Sequence, residues 1–399
     1  MHIDAFTSST LAILLLFVGK GLTQRFAVLR RYSIPEPVIG GLASVIVVGT
    51  LYFAFDIQLT YDLEARGLLL LYFFATVGLG TELSSLRQGG RPLLILLALA
   101  TGFIVLQNFL GMGVSSLFGL DPKAGLMAGS VSLTGGVGTT MAWAPEFTNR
   151  LGIANAAELG LACNMLGMVA ACLIGGPVVA FLMKRHAIAP SCDADLEVGT
   201  LYDQESSVRL DYYGVLLALL WLNIVLMLGN GVYQIFAAIG LNLPEFVGCL
   251  MAGIVVRNAM PLMARPHPKL WNWAGMRQGV ALISDLTLGV FLTMALMGMK
   301  IWELEGVLGF VAVVIALQIL LAIFFIIAVL FRCLGKNYES AVMCAGFSGI
   351  ALGSTATAIA NMTAVTRQFG AAPKAFIVVP LVCGFFIDLV NALIVSIMI

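Results

Sequence analysis

The chain has 399 residues, of which 60% are hydrophobic and 11% charged, with a formal net charge of zero. A soluble domain carries roughly 25% charged residues, so the composition excludes a soluble globular protein, and the neutral balance argues against a nucleic-acid partner. Seven cysteines, odd in number, scattered and mostly inside apolar runs, give no disulfide framework.

In chain order, the N-terminal MHIDAFTSST has no basic stretch before its apolar run, so that run (roughly 7 to 24) is expected to be a retained span and not a cleaved signal. SIPEPV, Ser33 to Val38, then reads as a helix start, with Ser33 as cap, Glu36 three residues on and Pro35 between them. The cap oxygen accepts from the third helical N–H, the glutamate reaches back, and proline costs nothing in the first turn. Apolar runs at roughly 38 to 55, 67 to 81, 93 to 118 and 159 to 183 complete the first half. Between the last two lies AGLMAGSVSLTGGVGTTMAW, Ala124 to Trp143, apolar enough for a membrane but full of Gly, Ser and Thr. The hydrophilic segment Lys184 to Asp211, with Asp193, Asp195, Glu197, Asp203 and Glu205, is expected to be a cytoplasmic linker whose charge serves solvation.

The second half offers runs at roughly 212 to 240, 246 to 257, 278 to 299, 306 to 331 and 375 to 397. NLPEFV, Asn242 to Val247, repeats the helix start with Asn242, Pro244 and Glu245, and SAVMCAGFSGIALGSTATAIANM, Ser340 to Met362, repeats the small-residue segment. Glu36 and Glu245 are read as caps stabilised by the positive end of the helix dipole, a ligand role being the alternative.

If the two odd segments are re-entrant hairpins, the ten spans alternate and the basic residues can be counted. With the N-terminus outside, the inner loops hold Lys20, Arg25, Arg30, Arg31, Arg87, Arg91, Lys184, Arg185, Arg209, Arg257, Arg265, Lys269, Arg277, Arg332, Lys336, Arg367 and Lys374. Arg66, Lys123, Arg150 and Lys300 fall outside, so the count is seventeen against four of the 21, as the positive-inside rule requires. Five spans per half is odd, so the second half enters the membrane in the opposite sense. The expected fold is therefore an all-α multispanning membrane protein, an inverted repeat of two five-span halves. The first repeat is 1–183 with a re-entrant hairpin at about 124–143, the linker 184–211, and the second repeat 212–399 with a hairpin at about 340–362. Gly119 with Gly335, Met127 with Met343, and FTNRLG (147 to 152) with VTRQFG (365 to 370) agree, at offsets of 216 to 218.

Chemistry is expected where backbone cannot stay helical inside the membrane. Gly135, Gly136 and Gly138 can break one hairpin and Gly349 with Gly353 the other, leaving half-helix N-termini that suit anions. The hydroxyls of Ser132, Thr134, Thr139, Thr140, Ser348, Ser354, Thr355 and Thr357 and the unwound carbonyls are hard oxygens that suit an alkali cation. The competing reading is that small residues merely let helices pack closely. Asp388, with Asn391 three residues on, is expected to contact a cation or a substrate ammonium, and Asn361 to complete a site. Asp285 is open between structural and functional roles, and the amides of Gln107, Asn108, Asn164 and Gln318 could complete a site but more often tie helices together.

The order SIPEPV, GGVGTT, MALMGMKIWEL (294 to 304), ALGSTATAIANM and VVPLVCGFFIDLVNALIV (378 to 395) resembles the bacterial sodium/glutamate symporter family across nearly the whole chain. The resemblance implies a homodimer with a mobile core against a scaffold, both termini periplasmic, and sodium-driven uptake of L-glutamate or a close analogue across the inner membrane. The sequence departs from the family pattern at Val137, where members often carry histidine, and at Ala356, where they often carry proline. A cation/proton antiporter or a passive channel of related architecture is the alternative function. An enzyme is not expected: the only histidines, His2, His186 and His267, fall in tail or loops, and no HExxH or GxGD occurs.

Overall fold

The computed structural model describes residues 2–26, 29, 35–188, 211–238, 243–263 and 271–399. Its helices are, in order, α1 (Ala5–Arg25), α2 (Glu36–Phe55), α3 (Ala65–Gly80), α4 (Leu86–Leu117), α5 (Ala124–Leu126), α6 (Gly136–Leu151), α7 (Ala156–His186) and α8 (Tyr212–Ala238). They continue as α9 (Glu245–Met263), α10 (Trp273–Met297), α11 (Leu308–Phe325), α12 (Tyr338–Leu352), α13 (Thr355–Phe369), α14 (Pro373–Leu381) and α15 (Ile387–Met398). Wide π turns extend α5 through Met127–Val131 and α11 through Ile326–Leu330 into a last α-helical turn, Phe331–Cys333, and join α14 to α15 over Val382–Phe386. The strands among the described residues are β1 (His2–Ile3) and β2 (Thr60–Tyr61), which pair in parallel.

Among the described residues seven helices are long and apolar enough to cross a membrane, and α14 with α15, a path bent by 40°, makes an eighth. The apolar α3 and the 19-residue α9 stand at the two remaining expected runs. Large uncovered side chains such as Phe17, Ile46, Met227 and Phe324 fit a lipid solvent, where apolar surface needs no cover. The chain is thus an all-α multispanning membrane protein.

Asp4 caps α1: it accepts from the Thr7 N–H at 3.1 Å and the Thr7 hydroxyl at 2.7 Å, bonds that hold its carboxyl below the ordinary range. The start of α2 corrects the expectation. It begins at Glu36, with Pro35 in the cap position and no side-chain cap bond. A start at Ser33 would need the Pro37 N–H to bond the Ser33 carbonyl, and proline has none; the start shifts so that Pro37 falls within the first turn. The expected caps Ser33 and Asn242 lie outside the described residues, as does most of the linker, 189–210. Glu36 and Glu245 each open their helix, at the end that favours negative charge.

The chain divides into two compact units, Met1–Leu83 with Arg209–Glu305, and Ser84–Val208 with Gly306–Ile399. In the first unit α1, α2, α3, α8, α9 and α10 pack together. Its crossings are made at glycines: a Cβ on Gly19 would collide with the Glu36 carbonyl of α2, and one on Gly78 with the Leu250 carbonyl of α9. Glycine costs about 1 kcal/mol against alanine in a helix interior, a cost offset here because only backbone-to-backbone approach closes the crossing. Trp221 meets Trp271 edge to face, Trp273 stacks on Trp271, and the Arg257 guanidinium lies 3.9 Å over the Trp273 ring while bonding Glu82 at 2.7 Å.

The second unit holds α4 to α7 and α11 to α15. Here α7 packs against α6, α12 and α13, again through glycines. A Cβ on Gly160 would strike the Thr140 methyl, one on Gly167 the Leu352 carbonyl, and one on Gly175 the Asn361 side chain. These positions recur about every two helical turns, so one face of α7 receives both small-residue segments.

Candidate functional site

Every residue singled out for binding lies in the second unit, whereas Asp285 sits on an exposed face of α10 in the first. The site is built where two helices break. In the first segment α5 and its π turn run to Val131, four residues leave the helix, and α6 restarts at Gly136 with Gly135 as cap. Gly136 has φ of +77°, a left-handed conformation that a side chain would strain. The break therefore falls two residues before Gly138, which lies inside the first turn of α6. In the second segment α12 ends at Leu352, Gly353 leaves the helix, and Ser354 caps α13 by accepting from the Thr357 N–H at 3.3 Å. Gly349 lies within α12, where a Cβ would collide with the Ala358 backbone; it lets α12 and α13 lie close and makes no break. The two breaks meet: a Cβ on Gly136 would stand 3.5 Å from the Gly353 carbonyl oxygen and 4.0 Å from Asn164 Nδ2.

Amides from the neighbouring helices take up much of the broken backbone. Asn108 Oδ1 accepts from the Ser130 N–H at 2.9 Å. Ser130 Oγ donates to Asn391 Oδ1 at 2.6 Å, and Asn391 Nδ2 donates back to the Ser130 carbonyl at 3.0 Å. Thr134 Oγ1 donates to Gln107 Oε1 at 2.7 Å, while Gln107 Nε2 donates to the Ala351 carbonyl at 2.9 Å, one of the last carbonyls of α12. Gln318 Nε2, on α11, donates to the Gln107 carbonyl in the middle of α4, where that helix is continuous, at 2.9 Å and so holds the Gln107 helix and not a break. Helix ends leave backbone groups unpaired, and a buried one without a partner costs about 1–3 kcal/mol, so the other amides are what makes a broken helix tolerable there.

The remaining residues divide by whether the protein already uses them. Thr140 Oγ1 donates to the Gly136 carbonyl of its own helix at 2.8 Å. Ser348 Oγ donates to the Ala345 carbonyl at 2.7 Å and accepts from Asn361 Nδ2 at 3.1 Å; Asn361 Nδ2 also donates to the Ala171 carbonyl at 3.0 Å. Ser354 Oγ and Thr357 Oγ1 share a bond of 3.2 Å. Thr355 and Ala356 are exposed at the start of α13, with the Thr355 side chain beside the Cys383 thiol. Asn164 Nδ2 donates to the Ser132 carbonyl at 2.7 Å. Among the described residues four buried side-chain oxygens of this unit have no partner: Ser132 Oγ, Thr139 Oγ1 and Asn164 Oδ1 at this break, and Gln318 Oε1 on α11. Asp388, half-buried on α15, places its carboxylate beside Thr139 and Cys383, although the Thr139 hydroxyl is not in hydrogen-bonding geometry with it.

The sequence reading passed over Ser130, and it ranked Asn361 and Asn391 above Asn164. The usable signal was an amide within an apolar run at Gln107, Asn108 and Asn164, each of which holds broken backbone. The spacing of Asp388 and Asn391 does put both on α15, but Asn391 turns to Ser130 and Asp388 to Thr139.

Residues 1–371 match the family described as sodium/glutamate symporter. The chain is 39% identical over 396 residues to a sodium/glutamate symporter of Escherichia coli K12, an alignment covering 99% of this chain and 97% of that protein. A sodium/glutamate symporter of Shigella flexneri gives the same figures, 39% over 396 residues. One from Haemophilus influenzae is 35% identical over 394 residues, covering 98% and 95%.

Proposed function

This chain belongs to the sodium/glutamate symporter family, and from that premise we propose that it imports glutamate, or a close amino-acid analogue, with sodium by alternating access across the bacterial inner membrane. The observation that carries the site is the meeting of two broken-helix tips, at Gly136 and Gly353, beside buried oxygens that lack partners. Glutamate has one net negative charge, and no arginine or lysine described in this unit is buried. The first turns of α6 and α13 supply positive potential instead, with the exposed Thr355 as a hydroxyl donor. Breaks of this kind beside a substrate recur in secondary transporters.

The finer architecture belongs to the same proposal. The α5–α6 and α12–α13 segments act as re-entrant hairpins of two inverted repeats. Supporting this, Gly119 and Gly335 both take positive φ, 71° and 103°, as do Gly152 and Gly370, 74° and 101°. Two copies form a dimer, and both termini face the periplasm, in keeping with the distribution of basic residues. The test is uptake of labelled glutamate into proteoliposomes, with the proton gradient collapsed and sodium placed outside only or on both sides. Concentrative uptake that needs the inward sodium gradient is expected. No glutamate uptake under these conditions, or uptake that only equilibrates, would instead favour the antiporter or the channel reading.

A further inference from the structure

Hydrogen bonding within the protein leaves Ser132 Oγ, Thr139 Oγ1 and Asn164 Oδ1 buried and unused, where buried polar atoms almost always find a partner. We infer that these three oxygens, with the Asp388 carboxylate, form the binding site of one alkali cation. The assignment rests on the sodium-coupled reading above and replaces Asn361 and Asn391 as ligands alongside Asp388.

Four observations converge. Asn164 Nδ2 is fixed on the Ser132 carbonyl at 2.7 Å, so its other end, Oδ1, is held at the same break as the Ser132 hydroxyl. Thr139 follows the break by one turn: a Cβ on Gly135 would meet the Thr139 methyl at 2.7 Å. The Asp388 carboxylate stands beside Thr139. The amides of Asn361 and Asn391, by contrast, are committed to Ala171, Ser348 and Ser130.

The chemistry selects the ion. All four groups offer oxygen, the choice of hard cations, and no soft sulfur or imidazole is among them. A single carboxylate balances one positive charge, whereas a divalent ion would leave a net positive charge buried. Among the described residues no group of three or more His, Cys, Asp or Glu could hold a metal, which sets aside the usual divalent and transition-metal sites. Nor does a buried lysine or arginine described in this unit compensate Asp388. The ligands come from both sides of the break, from α7 and from α15, so a bound cation would fasten the break to two separate helices.

The experiment uses the full chain in proteoliposomes and reads the sodium concentration for half-maximal glutamate uptake. It is paired with the sodium-induced rise in Tm in detergent without glutamate. Thr139→Val and Ser132→Ala should each raise the half-saturating sodium on the order of tenfold and shrink the Tm rise, while Thr139→Ser stays within about twofold of the parent chain on the same scale. Should the apolar variants fail to insert, Ser132→Cys nearly keeps the shape and exchanges hard oxygen for soft sulfur, as Thr139→Cys does with loss of the methyl that Thr139→Ser also lacks, and the same loss is expected of both. Unchanged sodium dependence in both positions overturns the ligand set. If uptake by the parent chain ignores sodium, the function proposed above falls. The Tm arm then still decides the cation site, since a parent chain that sodium does not stabilise refutes it and a rise lost in Thr139→Val upholds it.

Discussion

Gly136 and Gly353 stand against each other at the two helix breaks, a Cβ on the first lying 3.5 Å from the carbonyl oxygen of the second. Gly136 also holds φ at +77°. Alanine there adds strain of about 1–2 kcal/mol and pushes the tips apart. Gly136→Ala is expected to insert normally and to lower glutamate affinity by about tenfold, the equivalent of roughly 1.4 kcal/mol. A binding titration at saturating sodium decides it, and unchanged affinity would mean that the tips do not shape the site.

Thr355 and Thr140 should part company. Thr355 is exposed at the start of α13, while Thr140 is buried and spends its hydroxyl on the Gly136 carbonyl at 2.8 Å. Thr355→Val is expected to raise the glutamate Kd on the order of tenfold with Tm unmoved, through one lost charge-assisted bond of about 1.5–3 kcal/mol. Thr140→Val should instead lower stability by about 1 kcal/mol with little change in Kd. The reverse pattern would relocate the substrate.

On α7, Gly167 and Gly176 make a matched pair. A Cβ on Gly167 would collide with the Leu352 carbonyl, whereas one on Gly176 meets nothing within 4 Å. Gly167→Ala should destabilise by about 1–3 kcal/mol through overpacking, and Gly176→Ala should be neutral or stabilise by up to ~1 kcal/mol. Thermal unfolding in detergent compares the two directly.

Ala356 follows Thr355 in the first turn of α13, where a missing N–H removes no helical bond. The same chain already accepts proline as the second residue of α2, at Pro37. Ala356→Pro is therefore expected to keep the fold within about 1 kcal/mol of the parent; a large fall in Tm would show that α13 starts elsewhere.

Arg257→Met removes the 2.7 Å bond to Glu82 and the stacking on Trp273. Glu82, with its side chain 51% exposed, can rehydrate, so the cost is about 1–3 kcal/mol and not the 3–5 of a fully buried pair. Tm measures it, and Arg257→Lys should recover only part, since an ammonium lacks the planar stacking surface. No change in Tm would make the pair ornamental.

The ten apolar runs are matched by ten helical paths because length and hydropathy are local properties of the chain. The start of α2 differs from the expected one because Ser33 and Glu36 satisfy the cap pattern while Pro37 has no N–H to donate. In the site, the small-residue segments announced the breaks, and the hydroxyls within them were visible as polar atoms in apolar surroundings. Which hydroxyls were already in use was not visible. Thr139 and Thr140 are neighbours of one type, yet Thr140 turns back on its own helix and Thr139 does not. That difference is set by rotamers and by α7 and α15, which lie far away in sequence. Asn164 was legible only as an amide, since its partner Ser132 stands 32 residues earlier.

The lone carboxylate of Asp388, with no buried cation described in its unit, has an electrical consequence. With its carboxylate ionised, an empty site is negative, and one filled by a single sodium without substrate is neutral. In an energised cell, whose interior is negative, the membrane voltage therefore pushes the empty site outward, by up to about 2.3 kcal/mol per 100 mV if the whole field falls along its path. The voltage thus speeds the return step of the cycle, returning the empty site to the face where glutamate arrives. In potassium-loaded proteoliposomes, valinomycin should raise the rate of sodium-dependent uptake where two sodium ions accompany each glutamate, since the loaded site is then neutral and the voltage acts on the return step alone; with one sodium the loaded site is itself negative, and the voltage opposes its inward step as much as it helps the return. A rate indifferent to the imposed voltage would place the charge of Asp388 outside the field.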